Sequence, residues 1–218
     1  MASRLHSGRL VRYRDVTRMN HWLVAILFFL AGLSGLAFFH PSMYWFTNFF
    51  GGGQWTRILH PYFGLVMAVL FLLLALRVGR DNAFSRGDGQ WLAKSSAMLA
   101  GRKEEMPPVG KYNAGQKVVF WLMLLSLLTL TATGILFWHA WFPDFPVFWR
   151  RVGVLVHAIA AVVLILTVIV HVYAAIWVKG TMPAMTRGTV SRPWAELNHP
   201  LWARQAESAE DLKSKATR

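Results

Sequence analysis

From Val152 to Val178 the chain carries no Asp, Glu, Lys or Arg, but it does carry His157 and His171. The run exceeds the ~20 apolar residues a helix needs to cross a bilayer. Ionisable side chains at such depth are costly and tend to be functional. At ~100° and ~1.5 Å per residue, these two His fall within ~40° of each other on one face and ~21 Å apart along the axis. Ala160, Ala161, Leu164 and Val168 line the stripe between them, a surface against which something flat could lie. Two readings are open at this point. The imidazoles are either satisfied inside a helix bundle or each supplies one axial ligand to one of two haems stacked across the membrane.

The composition, 55% hydrophobic and 15% charged over 218 residues, belongs to an integral membrane protein. Eleven Trp and 15 Phe suit interfacial belts and lipid-facing surface. With no Cys, the chain alone can form no disulfide, thiolate-ligated haem or cysteine-held iron–sulfur cluster. Electrons that pass through it must come from a partner.

The expected fold is an all-α membrane protein, a four-helix transmembrane bundle with both termini cytoplasmic. Residues 1–19 form a cytoplasmic N-terminal segment and 179–218 a cytoplasmic tail. Between them, 20–178 form the membrane domain, with helices at about 20–39, 57–77, 117–138 and 152–178. The first apolar run is long and lacks a small-residue cleavage site, which makes it a retained helix rather than a signal peptide. Pro61 is placed in the first turn of the second helix, with Gly64 leaving room on the face of His60. In the long connection, Trp91, Leu92, Met98 and Leu99 read as one short surface helix. No internal repeat or low-complexity tract is evident.

Orientation follows from Lys and Arg. Residues 1–20, 77–117 and 179–218 hold 20 of the 23, leaving Arg57, Arg150 and Arg151 on the other side. The net charge of +13 is thereby explained by topology, with no nucleic-acid partner. His21 and His171 lie near the cytoplasmic surface, and His60 and His157 near the opposite one. Those levels predict two bis-His haems, His21 with His171 and His60 with His157, which would pass electrons without binding substrate at iron. His40 and His139 are rivals at the periplasmic headgroups, better read as interfacial or hydrogen-bonded. His6 and His199 read as surface residues. The predicted spans hold no carboxylate, which disfavours a proton relay within the membrane.

Several stretches together carry a resemblance. They are Arg18-Met19-Asn20-His21-Trp22, Arg57-Ile58-Leu59-His60-Pro61, Gly110-Lys111-Tyr112-Asn113-Ala114-Gly115-Gln116-Lys117, Val156-His157, and His171 through Thr181. With them the chain resembles the gamma subunit, cytochrome b556, of bacterial respiratory membrane-bound formate dehydrogenases. The resemblance implies that His21, His60, His157 and His171 are axial ligands of two haem b, paired as above. It implies a quinone, menaquinone or ubiquinone, beside the cytoplasmic haem, lined by Asn113, Gly115 and Gln116 with His171 adjoining. It also implies an iron–sulfur beta subunit with a membrane anchor, a molybdenum or tungsten catalytic alpha subunit, and residence in the bacterial inner membrane. The chain would then be the quinone-reducing electron-transfer subunit of an enzyme complex, with formate oxidised on a partner. The alternatives are the cytochrome b subunit of a nickel–iron hydrogenase or thiosulfate reductase, or a haem-free membrane anchor or His-based metal transporter. Without the resemblance, the Asn113–Gln116 motif reads as a polar cap on a helix.

Overall fold

The computed structural model describes residues 8–138 and 144–216. In chain order the elements are strand β1 (Arg9–Val11), helices α1 (Asp15–Phe39), α2 (Gly53–Val78), α3 (Arg86–Ala93), α4 (Ser95–Leu99), α5 (Ala114–Leu136), α6 (Val147–Trp177) and α7 (Met182–Thr186), strand β2 (Thr189–Ser191), and helices α8 (Arg192–Asn198) and α9 (Pro200–Ala216). As predicted, four helices, α1, α2, α5 and α6, are long and apolar enough to cross a membrane.

Each of the four begins three to five residues before the start expected from the apolar runs, since capping and dipole effects as well as hydropathy set helix ends. α1 starts at Asp15, whose carboxylate suits the positive end of the helix dipole and receives Arg18 Nη1 at 2.7 Å. α5 starts after a reciprocal pair in which the Asn113 N–H donates to Gln116 Oε1 (3.0 Å) and the Gln116 N–H to Asn113 Oδ1 (2.9 Å), a capping box. α2 starts at Gly53, so Pro61 lies inside the helix and not in its first turn. There it has no N–H to offer the Arg57 carbonyl. Gly64 faces open space, in keeping with room left on the face of His60. α1 ends where Pro41 forces His40 into an extended conformation (φ −147°, ψ 142°). His40 Nδ1 then accepts from the Ser42 N–H at 3.2 Å and caps the 3-10 helix Pro41–Phe50.

The chain divides into two compact units. The membrane unit comprises Met19–Arg77 and Trp121–Val170. Its burial is that of a membrane protein turned toward lipid, with only 17–22% of the most apolar window of each span buried. Many inward positions are small or hydroxyl-bearing, among them Ala31, Ser34 and Ala37 on α1, Ser126 and Thr133 on α5, and Ala160 and Thr167 on α6, with Met67, Phe71, Leu127 and Leu164 as larger buried residues. Large apolar residues such as Phe29, Leu76, Leu125 and Ile169 face outward. In lipid, helices gain little from burying Leu against Leu, so close approach of small residues and interhelical hydrogen bonds hold them together.

The second unit comprises the segment ending at Arg18, Val78–Phe120, and the chain from His171 onward. It contains a ribbon the sequence reading did not anticipate: β1 pairs antiparallel with β2, Leu10 opposite Val190. Those two side chains are fully buried in a cluster with Ala184, Trp194, Ala195, Trp202 and Ala203. The turn before β2 depends on Gly188 at φ +81°, whose carbonyl accepts from the Arg12 and Tyr13 N–H groups. The connection between α2 and α5 holds two short helices, not one, because the backbone breaks at Lys94 (φ −98°, ψ 12°). Tail and connection are therefore folded, although their composition is polar.

Candidate functional site

Two of the four candidate histidines meet within the membrane unit. His60 from α2 and His157 from α6 have ring centroids 6.4 Å apart and planes at 67°. A hydroxyl on a further helix holds each Nδ1. Ser34 Oγ of α1 lies 2.9 Å from His60 Nδ1, and Thr133 Oγ1 of α5 lies 2.8 Å from His157 Nδ1. Both hydroxyl hydrogens already have acceptors one turn back, Leu30 O for Ser34 and Thr129 O for Thr133, each at 2.7 Å. The imidazole must therefore donate from Nδ1, which leaves the Nε2 lone pair on each ring for a ligand. The spacing can be tested against a metal. Two imidazole nitrogens on opposite sides of one ion, at about 2.0 Å each, put ring centres ~6.3 Å apart. At the observed 6.4 Å, His60 and His157 would be spaced to hold one metal ion between their rings. Gly35 completes the contact, since a Cβ there would stand 3.0 Å from His60 Cε1. Phe137 packs at 5.6 Å from the His157 ring.

His21 belongs to the membrane unit, half-buried, with its ring edge-on to Trp22 at 5.5 Å. His171 belongs to the other unit, near the end of α6. His6 and His139 lie outside the described residues.

The Asn113–Gln116 turn has its side-chain oxygens committed to the capping box, which leaves the two amide NH2 groups as donors toward a carbonyl. Gly115 is small because of Trp91, whose Cη2 would stand 3.0 Å from a Cβ at that position. Ala114 is fully buried. Next to the turn, Lys117 Nζ donates to Asp88 Oδ2 at 2.8 Å, with both side chains under 10% exposed. Asp88 also accepts from the Ser85 N–H and Oγ. Burial alone would raise the Asp88 carboxyl, but the bonds from Lys117 and Ser85 outweigh it and hold it below the usual range. Trp91 and Asp88 thus fasten α3 against the head of α5.

His199 is no surface residue. It is 2% exposed, with Nδ1 2.8 Å from Gly110 O and Nε2 3.2 Å from Arg12 Nη2. A carbonyl only accepts and a guanidinium only donates, so the ring must be neutral with its hydrogen on Nδ1. Burial first, then the Arg12 charge, push its pKa down to about 3. Arg12 also donates to Lys111 O and lies over the rings of Trp202 (4.8 Å) and Trp194 (5.3 Å). Tyr13 Oη bonds Tyr112 Oη at 3.0 Å, and burial beside Tyr13 raises the Tyr112 phenol well above its ordinary value. One buried guanidinium therefore ties the N-terminal segment, the tail and the residues just before Asn113 into a single knot.

A family model described as prokaryotic cytochrome b561 matches residues 12–188. The chain belongs to this b-type cytochrome family. It is 40% identical over 208 residues to the cytochrome b556(Fdn) subunit of the nitrate-inducible formate dehydrogenase of Escherichia coli K12, covering 95% of this chain and 96% of the relative. It is 39% identical over 206 residues to the cytochrome b556(fdo) subunit from the same organism (94% and 97% coverage). Against the formate dehydrogenase cytochrome b556 subunit of Haemophilus influenzae, identity is 36% over 200 residues (90% and 83%). The resemblance seen in the sequence is thereby borne out. Four apolar helices and this membership make the cytochrome a multi-pass inner-membrane electron-transport protein whose cofactor class is haem b.

Sequence reasoning missed the groups that hold the histidines, although the stretches that contain them are alike. Ser34-Gly35-Leu36-Ala37-Phe38-Phe39-His40 and Thr133-Gly134-Ile135-Leu136-Phe137-Trp138-His139, at an offset of 99 (133 minus 34), share Gly, Phe and His at three of seven positions and a hydroxyl residue at the first. The same offset pairs Tyr13 with Tyr112, Arg18 with Lys117 and Trp22 with Trp121. Around these residues the pair α1–α2 is thus similar to the pair α5–α6: in each, a hydroxyl of the first helix holds a histidine of the second.

Proposed function

We propose that this chain is the dihaem cytochrome b subunit of a membrane-bound formate dehydrogenase, carrying electrons from the periplasmic side to a quinone reduced near the cytoplasmic side. The observation that carries the reading is the His60–His157 pair, 6.4 Å apart between ring centres with both Nδ1 atoms engaged. Those residues would hold one haem b. On the depth argument from the sequence, His21 and His171 would hold the second, nearer the cytoplasm. Haem, when bound, supplies one-electron transfer without a free coordination position for substrate. The imidazoles fix orientation, and the apolar helix faces exclude water. The free NH2 groups of Asn113 and Gln116 would donate to a quinone carbonyl, with the capping box keeping their planes fixed. An iron–sulfur partner would deliver electrons at the His60–His157 level, and a molybdenum or tungsten subunit would oxidise formate. The named relatives are formate dehydrogenase cytochrome subunits at 36–40% identity over nearly the whole chain, which supports this assembly.

The experiment is a vectorial one. Electrons moving inward oppose the membrane potential at ~2.3 kcal/mol per charge per 100 mV, and quinone protons are drawn from the cytoplasmic side. In sealed proteoliposomes holding the whole complex, formate oxidation with a quinone acceptor is expected to make the side bearing the chain termini negative. No potential, or the opposite sign, would overturn the topology or the quinone placement.

A narrower test uses the glycines. Alanine at Gly35 brings a Cβ to 3.0 Å from His60, whereas at Gly134 the nearest atom of His157 is 3.6 Å away, an ordinary contact. Gly35→Ala is expected to displace His60 and lower haem retention, with Gly134→Ala close to wild type. Haem absorbance per purified subunit measures both.

A further inference from the structure

We propose that Ser34 and Thr133 are positioning residues for electron transfer: their hydroxyls fix the Nδ1–H tautomers of His60 and His157 and set the reduction potential at that level. The proposal rests on the reading of His60 and His157 as axial ligands.

The hydroxyls differ from ordinary helix hydroxyls in what remains to them. Thr129, Thr131 and Thr167 also donate to a carbonyl one turn back, and no ring nitrogen is placed against them. Ser34 and Thr133 make the same bond and additionally meet a ring nitrogen at 2.9 and 2.8 Å. Since the hydrogen of each is spent on Leu30 O or Thr129 O, each oxygen serves the imidazole only as an acceptor. An acceptor on Nδ1–H makes Nε2 more basic, as it does for metal-bound histidines generally. A more basic axial ligand favours the more positively charged, oxidised metal. The hydroxyls therefore hold the potential of this level down.

Geometry fixes the arrangement on both sides. Ser34 is fully buried and Thr133 is 8% exposed, so water is a poor substitute for either. Each is followed by a glycine, and at Gly35 a Cβ would crowd the ring at 3.0 Å. One acceptor stands on each ring of the pair, so the two contributions act on one site.

The test uses the intact complex in membranes, with redox titration of the b-type absorbance and haem content per subunit. Thr133→Val keeps the side-chain shape and removes the hydroxyl. It is expected to retain haem and shift one of two midpoint potentials positive, leaving the other unchanged. Ser34→Ala is expected to shift the same component, and the double variant to shift it further. Thr133→Ser restores the acceptor and should titrate like wild type. Loss of haem in Thr133→Val with retention in Thr133→Ser would also support the hydroxyl role. Unchanged midpoints in Thr133→Val and Ser34→Ala, or equal effects of Thr133→Val and Thr133→Ser, would overturn the proposal. If His157→Ala keeps both haems, the ligand reading itself fails, a result separate from either of these.

Discussion

Replacing His157 or His60 with alanine is expected to lower the haem content from about two per chain to about one, and to stop electron flow from donor to quinone. Each substitution removes one of two axial imidazoles. The opposite ring, still held by its hydroxyl, cannot by itself supply a bis-His site. The remaining level is spared because ~21 Å of helix separates the two histidines of α6. His21→Ala and His171→Ala are expected to remove the other haem and leave this one. Haem extraction and reduced-minus-oxidised spectra of the four purified variants measure the result. If His60→Ala or His157→Ala kept two low-spin haems, the pairing would be wrong. His139 would then be the first suspect. His40 is less suited, since its Nδ1 accepts from the Ser42 N–H and its ring lies 2.8 Å from Ser42 Oγ as part of a cap.

The likeness of the two helix pairs explains why one level is easier to read than the other. His60 and His157 are counterparts in the two pairs (157 minus 60 is 97). His21 has Phe120 as its counterpart at the 99 offset, and His171 has Leu74 at the 97 offset. Two similar helix pairs would therefore build the proposed first site. The proposed second would combine residues without equivalents, and its pairing rests on depth alone.

What the sequence disclosed followed from large energies. Four spans, their lipid-facing surface and the histidines at membrane depth are dictated by the cost of polar groups in hydrocarbon, and charge-free runs display them plainly. Smaller terms were not legible. The early starts of α1 and α5 depend on Asp15 and on the Asn113–Gln116 box. The small size of Gly115 depends on Trp91, a partner more than 20 positions away in the chain. Nothing in the sequence alone marks Ser34 and Thr133 as partners of His60 and His157. The tail misled for a physical reason. Its few apolar residues, Val190, Trp194 and Trp202 among them, bury themselves against Leu10 and the Arg12 side chain, which composition alone does not reveal.

That knot makes the second unit sensitive to acid. His199 is neutral and buried, with a pKa of about 3 in the folded chain against about 6.5 when unfolded. A base whose pKa is depressed by folding contributes nothing adverse above pH 6.5, where both states are neutral. Below it, the unfolded state binds a proton that the folded state refuses, so stability falls with pH until about 3. The same two bonds forbid protonation, since a hydrogen on Nε2 would point at the Arg12 guanidinium. Lys103 adds a further positive charge nearby. At pH 5 the cost reaches about 2 kcal/mol relative to neutral pH, roughly a 30-fold increase in opening. Most carboxylates remain ionised over that window, which isolates the histidine. Hydrogen exchange in the whole complex should show amides of β1, β2 and α8 opening as pH falls from 7 to 5, after correction for intrinsic exchange. Amides within α2 and α6 should hold their protection. His199→Gln, unable to take a proton, should flatten the dependence. An opening equilibrium that stayed level over this window in the unaltered chain would show that His199 does not control the unit. Because Gly110 and Lys111 receive bonds from His199 and Arg12, loosening should also reach the Asn113–Gln116 turn. Acid should then weaken quinone reduction before it disturbs either haem.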